Sequence, residues 1–489
     1  MDSDMKKLKD LLVGVKIINA IGDLDIEIEK VHFDSRKVCA GDLFVAQRGV
    51  STDGHIFITQ VIEQGAVVIV CEELPRNLSE AVVYVVVGDT SFALGMIASN
   101  YYDNPSRSLK FVGITGTNGK TTTATLLYDL ARLAGYKVGL LSTVCNYIGD
   151  EKIDATHTTP DAVAINQYMR RMVDVGCEFC FMEVSSHAIS QKRIAGLDFD
   201  GGIFSNITHD HLDYHKTFRS YIEAKKGFFD YLPSHAFALT NMDDKNGMLM
   251  LQNTVARKYT YSCRSMADLN CKIIEKRLDG TLLKLDGVEV WTKFTGDFNA
   301  YNILAVYASA CLLGLVKEDV LKHISMLTPV TGRFETIISK TGVMAVVDYA
   351  HTPDAVENVL STIKGLLGKN NIVITVVGAG GDRDKTKRPE MANVACRYSD
   401  KIILTSDNPR SEEPEDIIRD MQAGVKDEYR DKVESVTDRK EAIQKAILMA
   451  KQGDIVLVAG KGHENYQEIK GVKHHFDDRE VIRELFACS

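Results

Sequence analysis

A glycine-rich segment, GITGTNGKTTT (residues 113–123), carries the residue types needed to bind a phosphate group. It follows an apolar, strand-like run, SLKFVGI, and precedes a helix-like run, TATLLYDLARLAG. In this order the N–H groups of the loop and the positive end of the helix dipole point at an anion. Lys120 can then reach the terminal phosphates of a nucleotide, and the hydroxyl of Thr121 or Thr122 can hold Mg²⁺.

The segment departs from the common phosphate-loop pattern GxxxxGK[ST]. Counting back from Gly119 places Ile114 where the first glycine belongs, and Gly113 and Gly116 flank that position. A turn that does not bind phosphate could contain these residues by chance. The strand-like run before the loop and the helix-like run after it favour nucleotide binding.

Two further segments offer metal ligands at predicted strand ends. MEVSSHA places Glu183 where its carboxylate could complete a Mg²⁺ shell, and the alternative is an ordinary helix cap built on serine. SNITHDHLDYH (residues 205–215) contains three histidines and two aspartates, which suit either a metal site or a capped turn. Because Mg²⁺ prefers oxygen ligands, at most one of these histidines should bind it directly.

Lys225 lies in YIEAKKGFFDYL, a segment of helical propensity. Periodicity places it near the apolar face, where a lysine normally extends its ammonium group into solvent. Spacing alone gives this lysine no role.

Arg383 in GGDRDKTKRP and Arg410 in DNPRSEEP follow strand-like runs. Each could bind a carboxylate or phosphate through two hydrogen bonds, although a single loop arginine is usually a solvated surface residue. Equivalent positions in one sheet favour an anionic ligand. GKGHE adds the carboxylate of Glu464 at another strand end, so the set suits a ligand with both a carboxylate and an ammonium group, such as an amino acid.

The elements that must position these residues are of α/β type. Strand-like and helix-like runs alternate from about residue 108 to residue 335, which predicts a mainly parallel sheet. Four later apolar runs, in VMAVVDYAHTPDA, NIVITVVGAGGDRD, KIILTSDNPR and DIVLVAGKGHE, each end in a polar cluster at the edge where open α/β sheets bind ligands. Chain length and the turn-rich DNPSRS segment predict three domains: 1–104, 105–335 and 336–489.

Composition narrows the class of protein. An apolar content of 45% and a charged content of 26% suit a soluble protein with sizeable cores. The net charge of −9 argues against a nucleic-acid binder, and the sequence has no run of about 18 apolar residues, so we expect no membrane partner and a cytoplasmic location. Cys177 and Cys180 have CxxC spacing inside a strand-like run, which favours core residues over a metal or redox site.

Taken together, eight segments resemble the Mur ligase family in that family's order and along essentially the whole chain: GTNGKTTT, MEVSSHA, SNITHDHLDYH, GRFE, DYAHTPDA, GGDRDKTKRP, DNPR and AGKGHE. The resemblance implies an N-terminal domain that binds UDP and a central phosphate-loop ATPase domain. It also implies a C-terminal Rossmann-like domain that binds the incoming amino acid. We expect a monomer.

The resemblance assigns residues to each ligand. The implied ATP contacts are Gly116, Thr117, Asn118, Gly119, Lys120, Thr121, Thr122, Asn302, Arg333 and His351. The implied Mg²⁺ ligands are Thr121, Glu183, His211 and Lys225, the last carbamylated in the family and so carboxylate-like. The implied UDP-sugar contacts are Ser35, Thr158, Thr159, Ser185, Gln191 and Arg193. Lys120, Glu183, His211 and Lys225 are thus the expected catalytic residues, and His157 departs from the family by standing where asparagine is expected.

The family reaction supplies the expected substrates. ATP phosphorylates the D-glutamyl carboxylate of a UDP-N-acetylmuramoyl dipeptide, and the amine of an amino acid attacks the acyl phosphate during peptidoglycan synthesis. DNPR resembles the signature of members that add diaminopimelate, and members that add lysine typically lack its arginine. The expected contacts of meso-diaminopimelate are Arg383, Asp407, Asn408, Pro409, Arg410, Gly460 and Glu464.

Chemistry agrees with this choice of amino acid. Arg410 could bind the distal carboxylate of diaminopimelate and Glu464 its distal ammonium group. Lysine would leave a desolvated arginine unpaired, at a cost of about 1–3 kcal/mol or more.

Two alternatives stay open at this point. A ligase similar to folylpolyglutamate synthetase would share the ATPase logic, but FDSRK (residues 33–37), DNPR and GKGHE speak against it. A nucleotide-regulated binding protein would leave the strand-end clusters after residue 335 without a purpose.

Overall fold

The computed structural model describes residues 5–49, 52–277 and 279–487. The first part of the chain forms strands and helices around a five-stranded sheet of order β2-β7-β6-β5-β4, in which only β2 is antiparallel to its neighbour. Its elements are β1 (Lys6–Lys7), α1 (Leu8–Leu11), β2 (Ile17–Ile21), β3 (Glu27–Ile28), β4 (Val31–His32), β5 (Leu43–Val45), α2 (Ile58–Glu63), β6 (Val68–Cys71), β7 (Val83–Val87) and α3 (Thr90–Tyr101).

The DNPSRS segment follows α3 and forms a short 3-10 helix, Pro105–Ser108. Pro105 and Ser106 are buried, so this junction packs against its neighbours instead of crossing solvent. Helix α3 also touches the next part of the chain, because the Ser99 hydroxyl donates a hydrogen bond to the Gly196 carbonyl at 2.9 Å.

The middle of the chain forms an eleven-stranded sheet of order β11-β10-β9-β12-β8-β13-β14-β15-β16-β17-β18. Its strands are β8 (Lys110–Thr115), β9 (Val138–Leu141), β10 (Cys145–Ile148), β11 (Glu151–Asp154), β12 (Phe179–Glu183), β13 (Gly201–Phe204), β14 (Phe237–Asn241), β15 (Arg257–Ser262), β16 (Leu269–Arg277), β17 (Gly280–Leu285) and β18 (Val288–Thr292). Its helices are α4 (Lys120–Leu133), α5 (Ala162–Asp174), α6 (Ser186–Ser190), α7 (Leu212–His215), α8 (Phe218–Tyr231), α9 (Gly247–Met250), α10 (Asp297–Leu312) and α11 (Lys317–Met326).

The seven strands from β9 to β16 are mutually parallel, and antiparallel hairpins extend both edges. Alternate residues of β8 enter different cores. Val112 and Ile114 pack with α4 and α10, whereas Phe111 packs on the opposite face with α5 and α8. A strand covered on both faces needs apolar residues at successive positions, which is why this run lacks polar alternation.

The last part of the chain forms a six-stranded sheet of order β19-β20-β24-β21-β22-β23, parallel except for β19. Its elements are β19 (Glu335–Ile338), β20 (Met344–Asp348), α12 (Pro353–Leu366), β21 (Val373–Ala379), α13 (Lys387–Tyr398), β22 (Lys401–Ser406), α14 (Pro414–Gln422), β23 (Val433–Ser435), α15 (Arg439–Met449), β24 (Ile455–Ala459), β25 (Tyr466–Ile469), β26 (Val472–His475) and α16 (Asp478–Ala487). Strands β25 and β26 form a separate hairpin.

Both faces of this sheet are covered, since Val373 and Val377 of β21 pack with α12 and α13, and Ile374 and Val376 pack with α15. The predicted class is therefore confirmed: three α/β parts, a central phosphate-loop sheet that is mainly parallel, and a Rossmann-like sheet at the end of the chain. Cys177 and Cys180 lie in the apolar core, as expected. Within the described residues, no helix combines the length and apolar character needed to cross a membrane.

Candidate active site

The glycine-rich loop joins β8 to α4, and residues that follow β13 hold it in place. The amide of Thr117 donates to the Asn206 carbonyl at 2.8 Å, and the amide of Asn118 donates to the Asn206 side chain at 2.9 Å. The Ser205 hydroxyl donates to the Asn118 carbonyl at 2.6 Å. Gly119 adopts a φ of +87°, and a Cβ there would stand 2.5 Å from Asn302 Oδ1, so only glycine fits this cradle.

Lys120 is the first residue of α4, and its ammonium group stays at the loop. Nζ donates to the carbonyls of Gly116 and Thr117 at 2.9 and 2.8 Å. Burial lowers the pKa of Lys120, while the nearby Glu183 and Asp210 carboxylates act in the opposite direction. A cation held at the N-terminus of a helix adds to the attraction that the loop exerts on phosphate.

Glu183 ends β12 and is fully buried beside the loop. Its Oε2 accepts from the Thr121 hydroxyl at 3.0 Å, and its Oε1 accepts from the Thr143 amide at 2.7 Å. The helix-capping interpretation of this segment applies to Ser185, whose hydroxyl accepts from the Ala188 amide at 3.2 Å. The segment therefore both caps α6 and brings a carboxylate to a hydroxyl of the phosphate loop.

His211 precedes α7 in a left-handed conformation (φ +55°), which turns it back toward the loop. Burial lowers its pKa to about 3, and the charges of Lys120 and Lys225 act in the same direction. The Asp210 carboxylate, whose Oδ2 lies 3.5 Å from His211 Nε2, acts in the opposite direction. The neutral imidazole that burial favours is the form that binds metal ions. His215 instead pairs with the Ser186 hydroxyl at 2.9 Å, and His209 is exposed.

Lys225 of α8 is buried, with about 1% of its surface exposed, so the solvated interpretation is wrong. Its Nζ donates to the Gly116 carbonyl at 2.7 Å and lies 4.8 Å from the centre of the Tyr221 ring. Burial lowers the pKa of Lys225 well below its usual value, and the charge of Lys120 lowers it further. The expected Mg²⁺ ligands therefore converge on the phosphate loop.

Among the described residues, no group of three or more His, Cys, Asp and Glu side chains has the geometry of a metal site. The expected ligand set contains only Glu183 and His211 of those types, because its other members are a hydroxyl and a modified lysine.

Three residues expected at the nucleotide come from outside the loop. Arg333 Nη2 donates to the Thr121 hydroxyl at 3.0 Å, and its guanidinium lies 4.4 Å from the centre of the Tyr349 ring. The buried Nε of Arg333 has no hydrogen-bond partner in the described part of the chain, so this cation can still bind an anion. Asn302 faces Gly119 from α10, and burial lowers the pKa of His351 to about 4.

Five of the six residues expected at the UDP-linked substrate are connected by hydrogen bonds to one another, to Thr143 or to Glu183, whereas Ser35 lies in the first part of the chain. Thr159 donates to the Glu183 carbonyl at 2.7 Å and accepts from the Ser185 amide at 3.0 Å. Arg193 donates to the Thr159 carbonyl at 2.7 Å and to Gln191 Oε1 at 2.7 and 3.0 Å. The hydroxyl of Thr158 accepts from Thr143 at 3.1 Å.

Loops at the carboxyl ends of β21, β22 and β24 meet above the last sheet. Asn408 Nδ2 donates to Glu464 Oε2 at 2.7 Å, and the Asn408 amide donates to Asp407 Oδ1 at 2.7 Å. Arg410 Nη1 donates to the Gly381 carbonyl at 2.7 Å, and its Nε lies 3.7 Å from Glu468.

The two arginines of GGDRDKTKRP have different roles. Arg383 is exposed at the end of β21 and faces the cleft. Arg388 is fully buried and pairs with Glu412 at 2.8 Å and Asp420 at 2.8 Å. Arg388 therefore supports the loops, and Arg383 is the arginine available to a ligand.

One cleft of about 1330 Å³ brings these groups together. It is lined by the phosphate loop, Glu183, His211, Lys225, and residues of all three strand-end loops of the last sheet. His157 also lines it. The predicted site residues outside its lining are Gly116, Ser35, Gln191 and Pro409.

Sequence reasoning missed several residues that connect the parts of this cleft. Asp354 of α12 accepts from the Asn118 side chain at 2.9 Å, and Lys387 Nζ lies 3.8 Å from Asp210 Oδ1. Lys461 lies beside Asn408 and Glu464. All of these residues lie in motifs that were recognised from the sequence, but only the folded structure shows which partner each residue contacts.

The chain is similar to known proteins in sequence and in fold. The models named "Mur ligase family, catalytic domain", "Mur ligase middle domain" and "Mur ligase, glutamate ligase domain" match residues 27–102, 114–310 and 332–462. A protein of Bacteroides fragilis named UDP-N-acetylmuramoyl-L-alanyl-D-glutamate–2,6-diaminopimelate ligase is 56% identical over 99% of this chain and 100% of its own length. The chain belongs to the Mur ligase family.

A second relative and a solved structure are also similar to this Mur ligase over nearly its whole length. A relative of the same name from Cytophaga hutchinsonii is 58% identical over 98% of this chain and 99% of its own. A solved structure of an enzyme with that name has a TM-score of 0.70, 31% identity and 99% coverage of both chains.

Proposed function

We propose that this Mur ligase joins meso-diaminopimelate to UDP-N-acetylmuramoyl-L-alanyl-D-glutamate in an ATP-dependent reaction of peptidoglycan precursor synthesis. The observation that carries the proposal is the single cleft, in which the phosphate loop faces the loops of Arg410 and Glu464. The full-length relatives with 56 and 58% identity have names that state the same ligase activity.

ATP fits the phosphate loop on the evidence of this structure. The loop presents backbone N–H groups at the start of α4, and glycine at position 119 leaves the room that a side chain would fill. Lys120 and the unpartnered Nε of Arg333 supply positive charge near the site of phosphoryl transfer. We expect these groups to offset the charge that develops while the D-glutamyl carboxylate becomes an acyl phosphate.

Thr121, Glu183, His211 and carbamylated Lys225 would hold Mg²⁺, which supplies charge neutralisation for the phosphates when bound. The position of Lys225 supports the modification. Burial disfavours its ammonium form, and the neutral amine is the form that adds carbon dioxide, releases a proton and becomes a carbamate.

The amino acid site is proposed at the edge of the last sheet. Arg410 and Arg383 can each bind one carboxylate of diaminopimelate, while Glu464 and Asp407 can accept hydrogen bonds from its distal ammonium group. We expect the attacking amine to lie on the side of the cleft that faces the acyl phosphate. The bond from Asn118 to Asp354 connects α12 to the phosphate loop. We expect closure of the last sheet over the loop to exclude water that would hydrolyse the intermediate.

We also propose the domain bounds 1–104, 105–335 and 336–489. Each large sheet comes from one of these ranges, apart from Glu335, which opens β19. The cytoplasmic location and the monomeric state stay predictions.

The decisive test is ADP release with a panel of amino acids: the diaminopimelate isomers, L-lysine and ornithine. We expect release to require the UDP-linked dipeptide and to be fastest with the meso isomer. Faster turnover with L-lysine would contradict the amino acid assignment. Release that ignores the dipeptide would instead favour a folate-type ligase or a nucleotide-regulated binding protein. Lys120→Ala should abolish ADP release, and the exposed Lys369→Ala is its control.

A further inference from the structure

Lys461 is a buried cation directly behind the proposed amino acid pocket. It follows Gly460 at the end of β24, and its side chain has no exposed surface. Its Nζ lies 3.1 Å from Asn408 Oδ1 and 3.4 Å from Glu464 Oε2. Lys461 is not among the described residues that line the cleft, whereas its partners Asn408 and Glu464 are. It can therefore influence a ligand through these partners but does not face the cleft itself.

The contacts of Lys461 determine which way the Asn408 amide points. Asn408 Oδ1 accepts from Lys461 Nζ and also from the Glu468 backbone amide at 2.9 Å. Because two donors face this oxygen, the Nδ2 group must point the other way. There it donates to Glu464 Oε2 at 2.7 Å. Lys461 therefore contacts Glu464 directly and also orients the Asn408 amide that donates to Glu464.

Lys461 also sets the charge balance at Glu464. Burial raises the pKa of Glu464, and the neighbouring Asp407 carboxylate raises it further. Lys461 and the Asn408 hydrogen bond lower it. Other charged or titratable groups that interact with this carboxylate are Arg439 of α15, Tyr349 after β20 and Tyr466 of β25.

We propose that Lys461 is a positioning residue for the amino acid substrate, which keeps Glu464 a carboxylate and the Asn408 amide oriented so that the pocket binds a distal ammonium group. This inference rests on the proposed function. Lysine suits the position because a cation with several donors can serve an amide oxygen and a carboxylate at once. An apolar residue would leave the Glu464 carboxylate without the cation that lies 3.4 Å from its Oε2.

The test is steady-state kinetics of Lys461→Met between pH 6.0 and 8.5, with Lys401→Met as a control at the exposed start of β22. We expect the KM for diaminopimelate to rise about ten-fold or more at pH 6.0, because loss of the cation raises the pKa of Glu464 and leaves a larger fraction of this group protonated. The KM values for ATP and the UDP-linked dipeptide should stay within about two-fold, since neither is expected to touch this pair. Raising the pH should restore much of the loss, because a higher pH ionises a carboxyl group whose pKa has risen.

A double variant keeps the inference falsifiable. If Lys461 acts through Glu464, adding Lys461→Met to Glu464→Gln should raise the KM for diaminopimelate little beyond the single Glu464→Gln variant. A pH-independent loss, additive effects, or equal increases in all three KM values would overturn the inference. A variant that fails to bind ATP is misfolded, and Lys461→Gln then carries the same test. Failure of the wild-type protein to use diaminopimelate would refute the proposed function instead.

Discussion

Arg410→Ala should selectively weaken the use of diaminopimelate. The backbone of Arg410 is anchored by the β25–β26 hairpin, since its amide donates to the Glu468 carbonyl at 3.0 Å and its carbonyl accepts from the Lys470 amide at 2.7 Å. These main-chain bonds do not depend on the side chain. Arg410 already adopts a left-handed φ of +52°, so alanine pays no conformational cost that arginine does not. The substitution therefore removes the guanidinium and leaves the loop in place.

The size of the effect follows from the bond that is lost. About 22% of the Arg410 side chain is exposed, and its Nη1 is held 2.7 Å from the Gly381 carbonyl, so the fork is oriented before a ligand arrives. Losing a partly desolvated guanidinium–carboxylate pair costs about 2–3 kcal/mol. That is about 30- to 150-fold in kcat/KM for diaminopimelate. The kcat/KM of Arg410→Lys for diaminopimelate should lie between those of the wild type and Arg410→Ala, because lysine keeps the charge but cannot form two parallel hydrogen bonds to a carboxylate.

The assay compares ADP release with diaminopimelate and with L-lysine for both variants. Because L-lysine has no distal carboxylate, kcat/KM for L-lysine should not fall. The ratio of kcat/KM for diaminopimelate to that for L-lysine should therefore decrease about 30- to 150-fold. Arg419→Ala, an exposed arginine of α14, is the matched control. An unchanged preference for diaminopimelate over L-lysine would refute the role given to Arg410. A rise in the KM for ATP as large as the rise for diaminopimelate would refute it as well.

Three further predictions concern other parts of the cleft. Lys225→Ala should lower kcat about 100-fold or more, and wild-type protein in ¹³C-bicarbonate should show a carbamate carbon by NMR that the variant lacks; no such signal in the wild type would exclude the modification. Asp129→Asn should raise the thermal midpoint of unfolding at pH 7 but not at pH 4. Burial raises the pKa of Asp129 from 3.8 to about 6, so its charge destabilises the fold as the pH rises through that range. Equal midpoints for the variant and the wild type at pH 7 would contradict this. Asp354→Ala removes the acceptor of the Asn118 side chain, so the KM for ATP should rise by up to about ten-fold, and an unchanged value would show that this bond does not support nucleotide binding.

Much of the fold could be predicted because local chemistry and global position agree. The apolar runs before GITG, VSS and SNIT became β8, β12 and β13, neighbours in one parallel sheet. The four later runs became β20, β21, β22 and β24, also neighbours. Carboxyl ends of parallel strands share one edge, so residues far apart in sequence, such as Gly381 and Arg410, meet there.

Other features depend on packing that no local pattern records. The helical period placed Lys225 near an apolar face, but its burial against the Gly116 carbonyl requires β8 and α8 to be placed first. Lys461 likewise reads as one more polar residue of a loop, since its partner Asn408 is 53 residues away. Long-range partners of this kind decide charge and orientation, and sequence spacing does not contain them.

The position of the last sheet has a consequence for how new specificities can be built. All the loops proposed to grip the amino acid leave one edge of this sheet, and the strands beneath them come from one uninterrupted stretch of chain. A chimera that exchanges this stretch between Mur ligases would graft a complete amino acid pocket in a single exchange. Only the seam must be matched, chiefly the pairs Asn118–Asp354 and Asp210–Lys387, since these hold the grafted pocket against the phosphate loop.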